Sequence, residues 1–262
     1  MPMHSHKVLN VIGTVAILFL VFPLIFIIIT SFGTGSTIEF PIKGFTFNWY
    51  LHILDQPDMI SGLETSLLVS FIASAFGLLI GIPAVYAMFR GGIHHTAWFQ
   101  MLFLSPTFLP EVVIGFSLYQ GLIITLHWPM MISLIVGYFL LGFPFVIRLV
   151  GAGLNMMDPH MEEAAWISGC SRLKGFFKIV LPNIKSSIAA AFIFSFINSF
   201  NSIPVTLFLS GPGFNMLPTS ILNYMQENYD PTISAISVIL MLITTLIMML
   251  INHFMGLNRL LK

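Results

Sequence analysis

The chain is short of charge. Only 8% of its 262 residues are Asp, Glu, Lys or Arg, too few to coat a soluble globule of that length. Acidic and basic residues balance at 10 each, so no net charge points to nucleic acid or to an acidic partner. The lone Cys170 excludes an intramolecular disulfide framework. No G-x-x-x-x-G-K-[ST] loop is present to cradle ATP, and neither H-E-x-x-H nor G-x-S-x-G supplies a hydrolase centre. His94-His95 has no further ligands at metal spacing and reads as solvated, so no metal site is expected.

What is abundant is apolar. Hydrophobic residues make up 57% of the chain, with 26 Phe and 16 Met, and mean hydropathy is +0.95. Six apolar runs, at about 8–32, 65–89, 98–126, 130–154, 186–209 and 231–257, each meet the roughly 20 residues a spanning helix needs. Lipid offers the backbone no hydrogen-bond partners, so the runs are expected to be helices, kinked at Pro23, Pro83, Pro144 and Pro204. The reading is an all-α integral membrane protein with one transmembrane domain over residues 1–262. The first run exceeds a signal h-region and no A-x-A-like site follows it, so an uncleaved anchor is expected.

The basic residues orient the path. Lys7, Arg90, Arg172, Lys174, Lys178, Lys185, Arg259 and Lys262 fall on one side of a six-span path, with Arg148 near the same end of span four and Lys43 alone opposite. By the positive-inside rule both termini are cytoplasmic, and so is the loop over residues 155–185. That loop holds Glu162, Glu163, Arg172, Lys174 and Lys178 in an otherwise oily chain. Asp158-Pro159 opens a short helix, Gly169 stops it, Ser171 opens a second and Leu181-Pro182 leads into span five. Ala164 and Ala165 leave its surface shallow, and Trp166 and Ile167 offer apolar anchors for a helix-in-groove contact. An amphipathic helix resting on headgroups is the alternative that periodicity leaves open.

The spacing Glu163-Ala164-Ala165, three residues, Gly169, nine residues, Ile179, one residue, Leu181-Pro182 resembles the cytoplasmic-loop signature of permease subunits of ATP-binding-cassette importers. "FNWYLHIL", "LSPTFLPEVVIG", "VTLFLSGPG" and "YDPTISAIS" look more narrowly like the spermidine/putrescine permeases of the C-subunit type. Permeases for aminophosphonates, opines, thiamine or ferric iron share much of this wording. The resemblance implies a non-catalytic subunit with six transmembrane helices, in a bacterial inner membrane. Its cytoplasmic coupling helix, over 158–171, would dock on an ATPase subunit through Glu162, Glu163, Ala164, Ala165, Trp166 and Gly169, with Leu181 and Pro182 completing the signature. It also implies two ATPase subunits that bind ATP and Mg, a second permease subunit that is a paralogue of this one, and an extracytoplasmic substrate-binding protein.

Polar residues inside the spans are the candidates for a path. Glu111 lies in span three, where it either contacts solute or serves a structural contact near a headgroup or a backbone amide beside Pro110. Ser195, Asn198, Ser199 and Ser202 share a stripe of span five, with Asn201 at its edge. A wet pathway and an interhelical hydrogen-bond seam both account for that stripe. Polyamine permeases often carry acidic residues where this chain has Asn201-Ser202, which favours a small amine-bearing solute of lower charge. The alternative of another class, an ion-gradient-driven secondary transporter or channel, predicts paired intramembrane acids or interrupted half-helices in two repeats, whereas one acid and one coupling loop are found.

Overall fold

A computed structural model describes residues 3–92, 95–211 and 213–255, and side chains over 9–92, 95–211 and 213–250. His94, Arg259 and Lys262 lie outside the described residues, as does the side chain of Lys7, whereas His95 is exposed just ahead of the helix that starts at Thr96. In chain order the helices are α1 (Met3–Thr30), α2 (Asn48–His52), α3 (Pro57–Arg90), α4 (Thr96–Leu104), α5 (Glu111–Leu118), α6 (Met130–Met156) and α7 (His160–Ile167). Then follow α8 (Arg172–Gly175), α9 (Leu181–Asn183), α10 (Lys185–Phe200), α11 (Ile203–Leu209), α12 (Leu217–Glu227) and α13 (Thr232–Met255). Among the described residues, four helices, α1, α3, α6 and α13, are long and apolar enough to cross a membrane singly. Two bent pairs, one over 96–125 and one over 172–200, raise the number to six if each pair is one span, a count compatible with the six apolar runs, although the second pair covers 172–200 where the fifth run covers 186–209.

The prolines divide by context. Pro23, Pro83 and Pro144 lie inside continuous helices, whereas Pro204 sits in the first turn of α11, after a break. A proline lacks the N–H that a helix's first turn leaves unpaired anyway, so Pro204 starts a helix more readily than it bends one. Of the two bent pairs among the described residues, the sharper turn is 97° between the halves of span three, at Leu109-Pro110.

The contacts gather into two compact units. Residues 1–60 and 221–245 form the first. Within it Thr30 Oγ1 and Ser234 Oγ lie 3.1 Å apart, Ser31 Oγ and Tyr50 Oη 2.7 Å apart, and Trp49 Nε1 donates to the Gly33 carbonyl at 2.7 Å. Phe32 stacks on Phe45 with ring centroids 4.8 Å apart. Asp230 accepts from the Thr232 amide at 2.9 Å, capping α13, and from Tyr224 Oη at 2.8 Å.

The second unit, residues 61–220 and 246–262, is built around α6. More than half of the membrane-length part of α6 is buried, the largest share among the long helices. One apolar cluster joins Val85 and Met88 of α3 to Val146, Ile147, Val150 and Leu154 of α6, with Val180 and Ile184 below them. Another joins Val69 and Ala73 to Leu134, Tyr138 and Leu141, with Ile114, Val205, Leu209 and Met216. Lipid is as apolar as leucine, so helices in a bilayer hold together by close fit more than by the hydrophobic effect. The small ridge Ala73, Gly77 and Gly81 supplies that fit, for a Cβ at Gly81 would run into Val146. α10 also packs along α6, and a Cβ at Gly142 would strike Ser195.

Candidate functional site

Two regions carry the residues singled out by the sequence. In the 155–185 loop, Asp158 Oδ1 accepts from the His160 amide at 3.0 Å, which starts α7. The helix ends in a Schellman arrangement: the Gly169 amide donates to the Trp166 carbonyl at 3.0 Å and the Cys170 amide to the Ala165 carbonyl at 2.9 Å. Gly169 has φ +85°, a left-handed conformation that a side chain resists, so the sequence places glycine where the chain reverses. Ser171 then caps α8, accepting from the Lys174 amide at 3.4 Å, and the Arg172 guanidinium lies 5.3 Å from the centre of the Trp166 ring. Both expected short helices are present.

The eight loop residues do not share one surface. Glu163, Ala164, Gly169 and Pro182 are exposed, and Ala165, Trp166 and Leu181 are half-buried. Ile167 is 88% exposed, leaving a large apolar side chain free to meet another surface. Glu162, beside Glu163, is 2% exposed and turned into its own chain. There Tyr86 Oη donates to its Oε2 at 2.7 Å and Arg90 Nε to its Oε1 at 3.0 Å. Neither partner was among the loop candidates. Arg90 entered the sequence reading only as a marker of orientation, and nothing in a linear signature pairs it with a position 72 residues away. The outward carboxylate of Glu163 instead meets His160 Nδ1 at 3.0 Å. That contact, then the charge of Asp158, raises the His160 pKa above its ordinary 6.5.

The second region is where spans three and five break. Leu109 and Pro110 are extended, with ψ of 141° and 132°, because the ring of Pro110 disfavours helix at the residue before it. The carbonyls freed at the end of the first half are met by side chains: Ser105 Oγ donates to Leu102 and Thr107 Oγ1 to Leu104, each at 2.7 Å. Glu111 opens α5, so its carboxylate sits by the positive end of that helix. Span five bends by 71° at Ile184, and past α10 its helix breaks again at Asn201-Ser202, where Ser202 is extended with ψ 100°. The breaks meet, since Ser202 Oγ donates to Glu111 Oε2 at 3.0 Å. Beyond them α5 and α11 lie against each other, Gly115 facing the backbone of Pro204 and Val205.

Beside the breaks lies a cavity of about 250 Å³, lined by Pro106, Thr107, Leu109, Glu111, Leu141, Phe145 and Asn198. Its polar lining comes from Thr107, Glu111 and Asn198. The stripe of span five is thereby divided. Asn198 faces the cavity, Ser202 holds Glu111, and Asn201 is exposed at the break. Ser195 and Ser199 instead pack against α6: Ser199 Oγ donates to the Tyr138 carbonyl at 3.3 Å, and Ser195 abuts Gly142. Thr206 extends the polar chain, donating to the Ser202 carbonyl and pairing with Tyr138 Oη. Its four-residue spacing from Ser202 was the available signal for it.

Comparison with known proteins places the chain in a family. Residues 3–257 match the binding-protein-dependent transport system inner membrane component, and the chain belongs to that family of importer permeases. It is 27% identical over 242 residues to the spermidine/putrescine transport system permease protein PotC of Escherichia coli K12, covering 91% of this chain and 89% of that protein. It is 28% identical over 258 residues to a putative 2-aminoethylphosphonate transport system permease protein, PhnV, of Salmonella choleraesuis, covering 95% and 96%. Its fold is similar to a chain of a bacterial ABC transporter that imports the polysaccharide alginate, with a TM-score of 0.74, 17% identity, and 100% and 98% of the two chains covered. The chain is thus a multi-pass permease component of the inner membrane, and transport rather than catalysis is its work.

Proposed function

We propose that this permease carries a small amine-bearing solute, spermidine or putrescine foremost, past the paired breaks of spans three and five. The observation behind this reading is the Glu111 carboxylate, held by Ser202 at the junction of two broken membrane helices and lining a cavity with Asn198. An ionisable group inside a membrane is costly and marks a path or a partner, and a carboxylate there attracts a cation strongly because the surroundings screen poorly. The likeness to PotC supports a polyamine. The neutral Asn201-Ser202 pair and the likeness to PhnV favour a second reading, a zwitterionic aminophosphonate. Glu111, Asn198 and Ser202 touch the path in this reading, Asn201 borders it, and Ser195 and Ser199 form the seam that backs it.

The elbow couples this movement to ATP. The exposed face of α7, with Glu163, Ala164 and Ile167, docks on an ATPase subunit, while Gly169, Leu181 and Pro182 set the turns that present it. The working assembly has two ATPase subunits that hold ATP and Mg, a second permease subunit and an extracytoplasmic binding protein, with both termini of this chain in the cytoplasm. The two compact units serve as one transmembrane domain, a reading supported by a family match that runs through both. ATP-driven closure of the ATPase subunits then biases the spans between inward-open and outward-open arrangements.

The test is uptake by the reconstituted complex. Spermidine and putrescine are compared with 2-aminoethylphosphonate, with and without Glu111→Gln. Polyamine uptake should fall tenfold or more in the variant. Transport of a sugar or an inorganic anion, and of none of these amines, would sink the substrate assignment.

A further inference from the structure

The joint between α6 and the elbow is thin. Met157 is extended, with ψ 128°, and only residues 157–159 connect the end of span four to α7. A push on an eight-residue helix hung from such a joint would swing the helix and leave the spans where they were. The chain alone therefore does not make the elbow a lever. What braces it is a buried polar cluster contributed by three helices.

Arg90, the last residue of α3, is the centre of that cluster. Its Nε donates to Glu162 of α7 at 3.0 Å, and one terminal nitrogen, Nη2, donates to the carbonyls of Leu154 at 3.2 Å and Met157 at 3.0 Å, at the end of α6. The other oxygen of Glu162 is taken by Tyr86 Oη at 2.7 Å, one turn back along α3. The Tyr86 ring in turn meets Phe176, on the way into span five, with centroids 4.8 Å apart. The planar guanidinium fixes direction as well as distance, which a lysine ammonium would not. It also satisfies carbonyls that the end of α6 leaves without helical partners, at the pole where a cation is favoured. The Glu162 side chain is 2% exposed and that of Arg90 19%, so water competes little for these bonds.

We infer that Arg90, with Glu162 and Tyr86, is the positioning linkage that locks the coupling helix to spans two and four, so that force applied to α7 reaches the spans. This rests on the reading that α7 docks on an ATPase subunit. Glu162 thus acts inside the permease while Glu163, the next residue, faces the partner.

The experiment replaces the charges by a neutral pair of similar bulk, Arg90→Met with Glu162→Leu. Exchanging a whole buried ion pair for apolar groups leaves no uncompensated charge, so folding is retained where a single change could destroy it. In the complete importer, assembly with the ATPase subunit should stay within twofold of wild type. Uptake should fall at least tenfold, and stimulation of ATP hydrolysis by loaded binding protein should disappear. Spin labels at Met161 of α7 and Leu79 of α3, in a Cys170→Ser background, give the mechanical readout. Their separation should be narrow and unchanged by trapped ATP in the otherwise wild-type chain, and broad in the double variant. Uptake within twofold of wild type, or a distribution as narrow as in the parent, would overturn the linkage. Failure of the wild-type chain to bind any ATPase subunit would instead overturn the docking reading, and the label separation would still decide whether the brace exists.

Discussion

Spans two and four run unbroken through α3 and α6, whereas spans three and five each break within a few residues of a proline. The unbroken pair meets through glycines and branched aliphatic side chains, Gly81 on Val146 among them, and ends in the Arg90 cluster. The broken pair gathers Glu111, Asn198, Ser202 and Thr206 where the backbone leaves the helix. In a bilayer a continuous helix satisfies its own backbone and asks its neighbours only for fit, whereas a broken one needs polar side chains or a wet cavity. The same chain thus holds a frame of continuous helices and a set of polar breaks, the latter being the passage proposed above, distinguished by where the helical hydrogen bonds stop.

Substitutions should separate the two. The largest stability loss is expected from Glu162→Ala, which leaves Arg90 without its carboxylate. Breaking one side of a buried pair costs about 3–5 kcal/mol, so thermal unfolding of the detergent-solubilised protein should drop clearly, and Glu163→Ala, at an exposed position, should shift it by less than about 1 kcal/mol. Next comes Gly142→Val. The added methyls meet Ser195, and overpacking of this kind costs about 1–3 kcal/mol, measurable in the same melt.

Gly169→Val forces a β-branched residue into a left-handed turn at a cost of about 1–2 kcal/mol. Its global effect should be modest because the turn is exposed, yet stimulation of ATP hydrolysis by loaded binding protein should be lost. Unchanged stimulation and uptake would remove Gly169 from the coupling elbow. In the broken spans, Ser202→Ala removes one hydrogen bond to Glu111 and should cost only about 1–2 kcal/mol, while uptake drops severalfold. A melt and an uptake assay on the same preparation distinguish it from the frame variants.

The smallest effect concerns pH at the elbow. Because the folded pKa of His160 lies above its unfolded value, the His160–Glu163 pair contributes its stability fully below about pH 6.5 and loses it as pH rises through the raised folded pKa. Both side chains are exposed, so the shift is best read from the imidazole resonances. Glu163→Gln should bring the titration down toward the ordinary value; an unmoved midpoint would mean that Asp158 alone sets it.

Much of this fold was legible because a bilayer leaves so few choices. Runs of apolar residues marked the long helices, and Asp158, Gly169 and Ser171 announced the caps that the structure realises. The breaks were harder to see, since hydropathy averages over windows and passes smoothly across Leu109-Pro110 and Asn201-Ser202. Pro110 carried the signal, in its effect on the residue before it, but an apolar run long enough to span outweighed it. The polar stripe of span five was legible as a stripe and not as two faces, because one helix repeat cannot say which neighbour each side chain meets. Likewise Glu162 and Glu163 read alike as adjacent acids of the loop, and successive helix residues point about 100° apart. Which of them turns inward depends on Arg90 and Tyr86, and their approach is a property of the packed helices.

The division of span five is open to one direct measurement. In a Cys170→Ser background of the complete importer, single cysteines at Asn198 and at Ser195 are exposed to a small aqueous thiol reagent, without nucleotide and with ATP trapped. The cysteine at position 198 should react readily and change its rate with nucleotide, while that at 195, against Gly142 of the frame, should stay at least tenfold slower in both states. Equal reactivity at the two positions, or an inert thiol at 198 in both states, would contradict a passage built at the breaks.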